Sequence, residues 1–434
     1  MKLLRHTFSA HINNVTVFKK QVVFWLQNNR VFACYDNNFY QHYTYSNYEL
    51  LVGAGVHNFF TATENSFHGV NGFLKNMNDW CFGHFAYDLK NETEKLTSSN
   101  SDSILFPELY FFQPETVIYI KKDSHTVTIE CISENPKIIF ESIVNIELQS
   151  NETSSKQNNI LSIKSKFSKE EYITIVEQIR QHIAKGDFYE MNLCMEFFAE
   201  NSTINPYEVF FKLNEINAAP FSALYRLNHN YLICSSPERF LMKQNNKIIS
   251  QPIKGTIKRA EDIALDNERK NILQNDTKER AENVMIVDLV RNDLAKSCEA
   301  GSVKVEELFK VYTFSQVHHL ISTISGALKN NVQVVDAIKN AFPMGSMTGA
   351  PKVIVMQHIE QYEKTKRGLY SGSVGYFSPN GNFDFNVVIR SILYNATNQY
   401  VSFQVGSAIT YDAVAEKEYE ECLLKANAMI EALK

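Results

Sequence analysis

No stretch of this sequence approaches the roughly 18 uninterrupted apolar residues of a membrane-spanning helix. The opening residues, MKLLRHTFSAHINN, turn polar before the apolar core of a signal sequence could form. The expectation is a protein that stays in the cytoplasm. Long Lys/Arg runs are missing too, and 43 basic against 48 acidic residues leave a formal charge of −5, which argues against nucleic acid or an anionic membrane as the main partner. No Cys-x-x-Cys pair occurs. The seven cysteines, Cys34, Cys81, Cys131, Cys194, Cys234, Cys298 and Cys422, stand singly, so neither a zinc site nor a disulfide framework is indicated. None lies in a Gly-x-Cys-x-Gly elbow that would expose a nucleophilic thiol. Internal repeats are lacking as well. What is present, 44% apolar and 21% charged residues over 434 positions, is the composition of a globular enzyme acting on a small molecule.

Residues 1–150 form an N-terminal β-rich region in this reading, with strands predicted at Gln21–Leu26, Leu109–Phe112, Thr116–Ile120 and Thr126–Ile132. Asn91–Ser103 is a solvated loop, and the Ser/Asn/Lys-rich residues 151–166 are a linker. A catalytic domain at 167–434 opens on a capping box of Ser168 with Glu171. Tyr172, Ile175, Val176, Ile179 and Ile183 then recur at helical spacing until Gly186 stops the helix. Beyond it, strands and helices mix without regular βαβ alternation. That predicts an α+β fold, a sandwich of two antiparallel β-sheets flanked by helices, rather than a doubly wound sheet.

Within a predicted helix at Thr277–Leu294, Glu279 and Glu282 are three apart and share a face. Glu418, Glu421 and Lys425 lie at i, i+3 and i+7 on the terminal helix. Two such carboxylate pairs brought face to face make an oxygen-rich nest for a hard divalent cation, Mg²⁺ by default. Phe342–Lys352, FPMGSMTGAPK, is a loop running into a helix whose first turn begins near Pro351, where free backbone amides would hold a carboxylate or phosphate. Gly345 and Gly349 are separated by three residues, not the four of a nucleotide-binding P-loop, so ATP is not implied.

Ser378-Pro379-Asn380-Gly381 signals a hairpin. In the strand after it, Phe383, Phe385, Val387 and Ile389 alternate with Asp384, Asn386, Val388 and Arg390, so Arg390 points away from the apolar face and makes, with Tyr370, a candidate anion clamp. A strand at Tyr400–Val405 runs into Gly406-Ser407-Ala408, small residues that let backbone amides approach a ligand. Lys254 and Glu238 both sit at strand ends. A Lys in an apolar, Gly-flanked turn can have its pKa lowered by desolvation and act as nucleophile or base, and a buried carboxyl can stay protonated as a general acid. Of the adjacent His318 and His319, only one can face a site.

Eight ordered segments resemble the chorismate-utilising enzymes: GDFYEMNLC from Gly186, SSPERFL from Ser235, PIKGT from Pro252, KERAENVMIVDLVRNDL from Lys278, GSVKV from Gly301, FPMGSMTGAPK from Phe342, RGLYSGSVGY from Arg367, and GSAIT with EYEECLLKA near the end. WCFGHFAYDLKNETEKL from Trp80 looks like the component I subunits of the aminodeoxychorismate and anthranilate synthases. In the third position of Pro-Ile-x-Gly-Thr the anthranilate synthases resemble one another in having Ala. Aminodeoxychorismate synthases and, at the corresponding place, isochorismate and salicylate synthases have Lys. Lys254 therefore speaks against anthranilate, and Cys298–Val303 matches the amine-transferring members rather than the water-adding ones. Two departures stand out: Asn283 where the family has His, and Gly406-Ser407-Ala408 where it has Gly-Ala-Gly.

The resemblance implies chorismate as substrate and Mg²⁺ held by Glu282 and Glu418, with Glu279 and Glu421 behind them. Arg390, Tyr370 and the backbone of Gly406, Ser407 and Ala408 would hold the enolpyruvyl carboxylate, and His319, Ser346, Thr256 and Lys425 would line the substrate. Lys254 would add at C2 while Glu238 protonates the departing 4-hydroxyl. Ammonia would then give 4-amino-4-deoxychorismate, on the way to para-aminobenzoate and folate. The ammonia would come from a separate glutamine amidotransferase subunit. Anthranilate, isochorismate or salicylate synthesis, or a catalytically silent chorismate-like ligand sensor, are the rival readings. A sensor would not need a nucleophile and a general acid together.

Overall fold

The computed structural model describes residues 4–41, 45–148, 161–314 and 316–434. Two antiparallel sheets make the frame, as the mixing of strands and helices predicts. The first runs, edge to edge, through His6–His11, Thr126–Cys131, Thr116–Lys121, Tyr48–Ala54, Val31–Asp36, Phe221–Leu227, Asn230–Ser236, Ser391–Asn395, Tyr400–Ile409, Glu190–Ala199 and Gly349–Ala350. The second runs through Ile253–Lys258, Val317–Ala327, Lys247–Gln251, Arg239–Gln244, Phe383–Asn386, Ser373–Phe377, Cys81–Phe85, Leu109–Gln113 and Asn58–Phe60.

Between the sheets, Val31, Leu51, Val117, Tyr225 and Leu393 of the first pack on Phe82, Phe112, Val374 and Tyr376 of the second. The outer face of each sheet is apolar as well and is covered by helices. Val15–Trp25, Lys169–Lys185, Pro206–Ile216 and Ala415–Ala432 cover the first, and Ser66–Met77, Thr277–Ser297 and Val334–Ala341 the second. Three buried layers follow, each fully buried Leu, Val or Phe side chain contributing about 1.5–3 kcal/mol.

The sequence reading separates 1–150 from 167–434; in the fold the two stretches share both sheets. Val31–Asp36 pairs with Phe221–Leu227, and Cys81–Phe85 pairs with Ser373–Phe377. Most of the linker at 151–166 lies outside the described residues, while Lys164–Ser165 pairs with Phe198 and Phe197.

Four local expectations are corrected. Gln21–Leu26 is not a strand: a helix spans Val15–Trp25, capped by the Asn14 side chain on the Val17 amide and burying Val15, Phe18, Val22 and Val23 at helical spacing. Asn91–Ser103 is not a solvated loop throughout, since the Ser99 and Asn100 amides donate to Glu360 of the helix Lys352–Tyr362. That helix starts one residue after Pro351, which is its N-cap. The strand from Phe383 stops at Asn386 rather than reaching Arg390, whose φ of 51° breaks the extended run.

The capping box of Ser168 and Glu171 is present, and Gly186, at φ 87°, ends that helix. No described helix is long and apolar enough to cross a membrane.

Candidate active site

The candidate site draws on an edge of the second sheet, two strands of the first, and two helices. Gly255 has φ 84°, and the pairing of Ile253–Lys258 with Val317–Ala327 shifts register between Ile253 and Thr256. This bulge, open to glycine at no steric cost, places Lys254 and Thr256 beside the helix Thr277–Ser297. A Cβ on Gly255 would stand 3.0 Å from Oε2 of Glu279.

Lys254 is the hub. Its ammonium donates a 2.6 Å hydrogen bond to Oε1 of Glu190 and lies 3.8 Å from Oε2 of Glu282. Burial alone would lower its pKa, as the sequence reading expects, but Glu190, Glu282 and Glu279 outweigh burial and raise it. The expected neutral amine is thus corrected: in this arrangement Lys254 is cationic. An apolar turn alone predicts a lowered pKa; the carboxylates that the fold brings to Lys254 reverse the direction.

Glu238, buried after the strand Asn230–Ser236, has its carboxyl pushed up to about 7 by burial, against the lowering effect of the Ser346 hydrogen bond and the Lys254 charge. Ser346 donates that bond to Oε1 at 2.7 Å. A carboxyl half protonated near neutral pH is able to give up a proton there.

The carboxylates of the two helices converge. Glu282 and Glu418 are buried, and one ammonium, that of Lys278, lies 3.7 Å from Glu282 Oε1 and 3.6 Å from Glu418 Oε1. Glu282 is pushed up to about 7 by burial and by Glu190 and Glu279, against Lys254. Glu279 and Glu418 are raised too, chiefly by burial. Glu421 is half exposed, and Lys425, 2.6 Å away, holds it below the usual range against the effect of burial.

Among the described residues no three His, Cys, Asp or Glu side chains are gathered tightly enough to hold a metal by themselves. The donor set still fits a hard divalent cation: two facing carboxylates already bridged by a cation, with other ligands left to water or substrate oxygens.

On the anion-binding side, the Arg390 carbonyl accepts from the Ser235 amide at 3.1 Å, while its guanidinium makes no hydrogen bond or ion pair among the described residues. Burial lowers its pKa, opposed by Tyr370 and Glu421. Tyr370 is buried, its hydroxyl 3.9 Å from Cys194 Sγ. His319 Nδ1 bonds Thr256 Oγ1 at 2.8 Å. Burial, and then the charge of Arg390, lower its pKa to about 3, so it is a neutral imidazole. His318 turns the other way, to Thr313 and Asp266, so one of the two histidines faces the site as alternation requires.

Lys425 donates to the Gly406 carbonyl at 2.8 Å. A Cβ at Gly406 would come within 2.7 Å of Cys194 Sγ and 2.9 Å of Asn192 Oδ1. Ala408 pairs with Asn192. The Ser407 hydroxyl is engaged 3.0 Å from that of Tyr172, so its side chain serves the helix contact.

Two residues escape the sequence reading. Glu190 stands in the quoted GDFYEMNLC segment without a role, and Lys278 opens the KERAEN segment. Alternation along Glu190–Ala199 could place Glu190 on a face, but not opposite a lysine 64 positions away.

A family model described as chorismate binding enzyme matches residues 30–431. The chain belongs to that family. As a chorismate-utilising enzyme it is similar to aminodeoxychorismate synthase component 1 of Escherichia coli (strain K12), 36% identical over 356 residues, 81% of this chain and 76% of that protein. It is also similar to anthranilate synthase component 1 of Acetivibrio thermocellus, 33% identical over 382 residues, 83% and 76% of the two chains. Among solved structures, the fold is that of MenF, the menaquinone-specific isochorismate synthase from Escherichia coli, with a TM-score of 0.76 at 17% identity, covering 100% of this chain and 95% of that one. Anthranilate synthase component I from Streptococcus pneumoniae TIGR4 gives 0.71 at 24% identity, covering 98% and 92%.

Proposed function

We propose that this enzyme is component I of an aminodeoxychorismate synthase. The observation that carries the reading is Lys254, its side chain only 10% exposed beside Glu282 and close enough to Glu238 for its charge to act on that carboxyl. A lysine nucleophile and a carboxylic acid bordering one space are what amination through a covalent adduct needs. Relatives with this name in Escherichia coli and in Bacillus subtilis (strain 168), 36% and 33% identical, support it.

Arg390, with Tyr370 nearby, would bind the enolpyruvyl carboxylate, and neutral His319, fixed by Thr256, would orient the ring without adding charge. The Lys254 ammonium first gives up one proton to solvent; its amine then attacks C2, the ring double bonds shift, and the C4–O bond breaks as Glu238 gives its proton to the departing hydroxyl, which leaves as water. Ammonia then attacks C4, the double bonds shift back, and the C2–N bond to Lys254 breaks. One proton from the incoming nitrogen returns to the site, so the acid and the amine are both restored. Glu282 and Glu418 would hold Mg²⁺, which would supply Lewis-acid withdrawal of charge through the ring carboxylate and would offset the charge of Glu282 beside Lys254.

Burial pushes the pKa of every one of the seven cysteine thiols up, so none is an activated thiolate able to hydrolyse glutamine. Ammonia therefore comes from a separate glutamine amidotransferase subunit, which makes a heterodimer, and the work is done in the cytoplasm.

The similarity to anthranilate synthases favours a second reading, that this is an anthranilate synthase component I. Product analysis with chorismate, Mg²⁺ and either ammonium or glutamine separates the two. Ammonium should give 4-amino-4-deoxychorismate and glutamine nothing until a glutaminase subunit is added. Anthranilate, isochorismate or salicylate as the product, or glutamine consumed by the chain alone, would overturn the proposal.

A further inference from the structure

A lysine that must attack one ring carbon sits on a flexible four-carbon stem, and something has to hold its nitrogen. Lys254 Nζ lies within salt-bridge distance of two carboxylates, Glu190 and Glu282, but among the described residues it donates a hydrogen bond, of 2.6 Å, only to Glu190. Glu282 is assigned above to the divalent cation, which leaves Glu190 as the partner that stays with the lysine.

Glu190 is built to be rigid. It opens the strand Glu190–Ala199, pairs with Ala350, and is followed by Met191 paired to both Gly349 and Ile409. The neighbouring Tyr189 amide donates to Ala350 at 2.8 Å. Gly349 packs so closely that a Cβ there would stand 2.0 Å from the Glu190 carbonyl oxygen. The backbone under the carboxylate is thus clamped on both sides.

Stability alone does not account for the pair. Removing two opposite charges from water offsets most of their attraction, and a buried carboxylate placed for stability would have both oxygens satisfied. Oε2 of Glu190 is buried with no hydrogen-bond partner among the described residues.

We propose that Glu190 is the positioning residue for Lys254, holding Nζ by the Oε1 hydrogen bond at the place from which it attacks. The inference rests on the reading of Lys254 as the nucleophile. It acts through the lysine, so substrate binding should be nearly untouched.

The test compares Glu190→Gln, which keeps an acceptor oxygen at the same reach, with Glu190→Met, which keeps the length and loses the acceptor. Thermal melting confirms that each variant is folded. Glu190→Met should lower kcat at least tenfold with KM for chorismate within about twofold of wild type, and should lower the fraction of Lys254 trapped as an adduct in mass spectra. Glu190→Gln should stay within about threefold in kcat. Should the Met variant not fold, Glu190→Asp carries the same test: the charge remains, the acceptor is withdrawn by one methylene, and kcat should fall by the same margin. Unimpaired kcat in folded Glu190→Met, equal losses in the Gln and Met variants, or a loss confined to KM would overturn the inference. Wild-type enzyme that forms no aminated product would instead overturn the proposed function.

Discussion

The Ser346 hydroxyl donates a 2.7 Å hydrogen bond to Glu238, and that bond opposes the burial that pushes the Glu238 carboxyl up to about 7. Glu238 must be protonated to act as an acid. With rates normalised to free ammonia, kcat/KM for chorismate should fall as pH rises through about 7. Ser346→Ala removes the opposing bond, which raises the pKa further and moves the alkaline limb to higher pH. Glu238→Gln should lower kcat by about 10²–10⁴-fold and flatten the limb. A Ser346→Ala limb at unchanged or lower pH would contradict the assignment.

The same shift has a stability consequence. The Glu238 pKa is raised from 4.5 to about 7 on folding, so its contribution is fully present below 4.5 and is lost as pH rises through the folded value. Urea unfolding at pH 5 and pH 8 should show a smaller loss of stability for Glu238→Gln than for wild type. Equal losses would place the titration elsewhere.

Lys278 spans Glu282 and Glu418 at 3.7 and 3.6 Å, where a divalent cation would compete with it. Calorimetric titration with Mg²⁺ should show binding abolished in Glu282→Gln and in Glu418→Gln, with the fold intact, and tightened in Lys278→Met. Binding unchanged in both Gln variants would remove the cation from these helices.

Gly406 has no room for a methyl group between Cys194 Sγ and Asn192 Oδ1, at 2.7 and 2.9 Å from a Cβ. Gly406→Ala should destabilise the protein by about 1–3 kcal/mol in urea unfolding, because the Cys194 and Asn192 side chains and the Leu193 carbonyl, 3.0 Å from a Cβ, must give way. An unchanged midpoint would mean that these groups give way freely there.

Local rules recovered much of the frame. The Ser168 and Glu171 capping box, the Gly186 stop and the Ser378–Gly381 hairpin depend on neighbours within a few positions, and each is present. Gln21–Leu26 fails for an instructive reason. Its Val-Val-Phe-Trp run has strand propensity, but the helix is fixed by Asn14 upstream and by burial of Val15 and Phe18 one turn away. In the site, Glu238 and Lys254 could be picked out one by one. The Glu190 contact and the raised pKa of Lys254 could not, because both arise from residues tens of positions apart meeting across two sheets.

Amination by this enzyme turns on the covalent step at Lys254. Wild-type enzyme mixed with chorismate and Mg²⁺ in the absence of ammonia, quenched and digested, should yield a peptide in which Lys254 carries the mass of chorismate less one water. Lys254→Met should show neither that peptide nor 4-amino-4-deoxychorismate when ammonium is supplied. Undiminished aminodeoxychorismate formation by folded Lys254→Met would contradict the account.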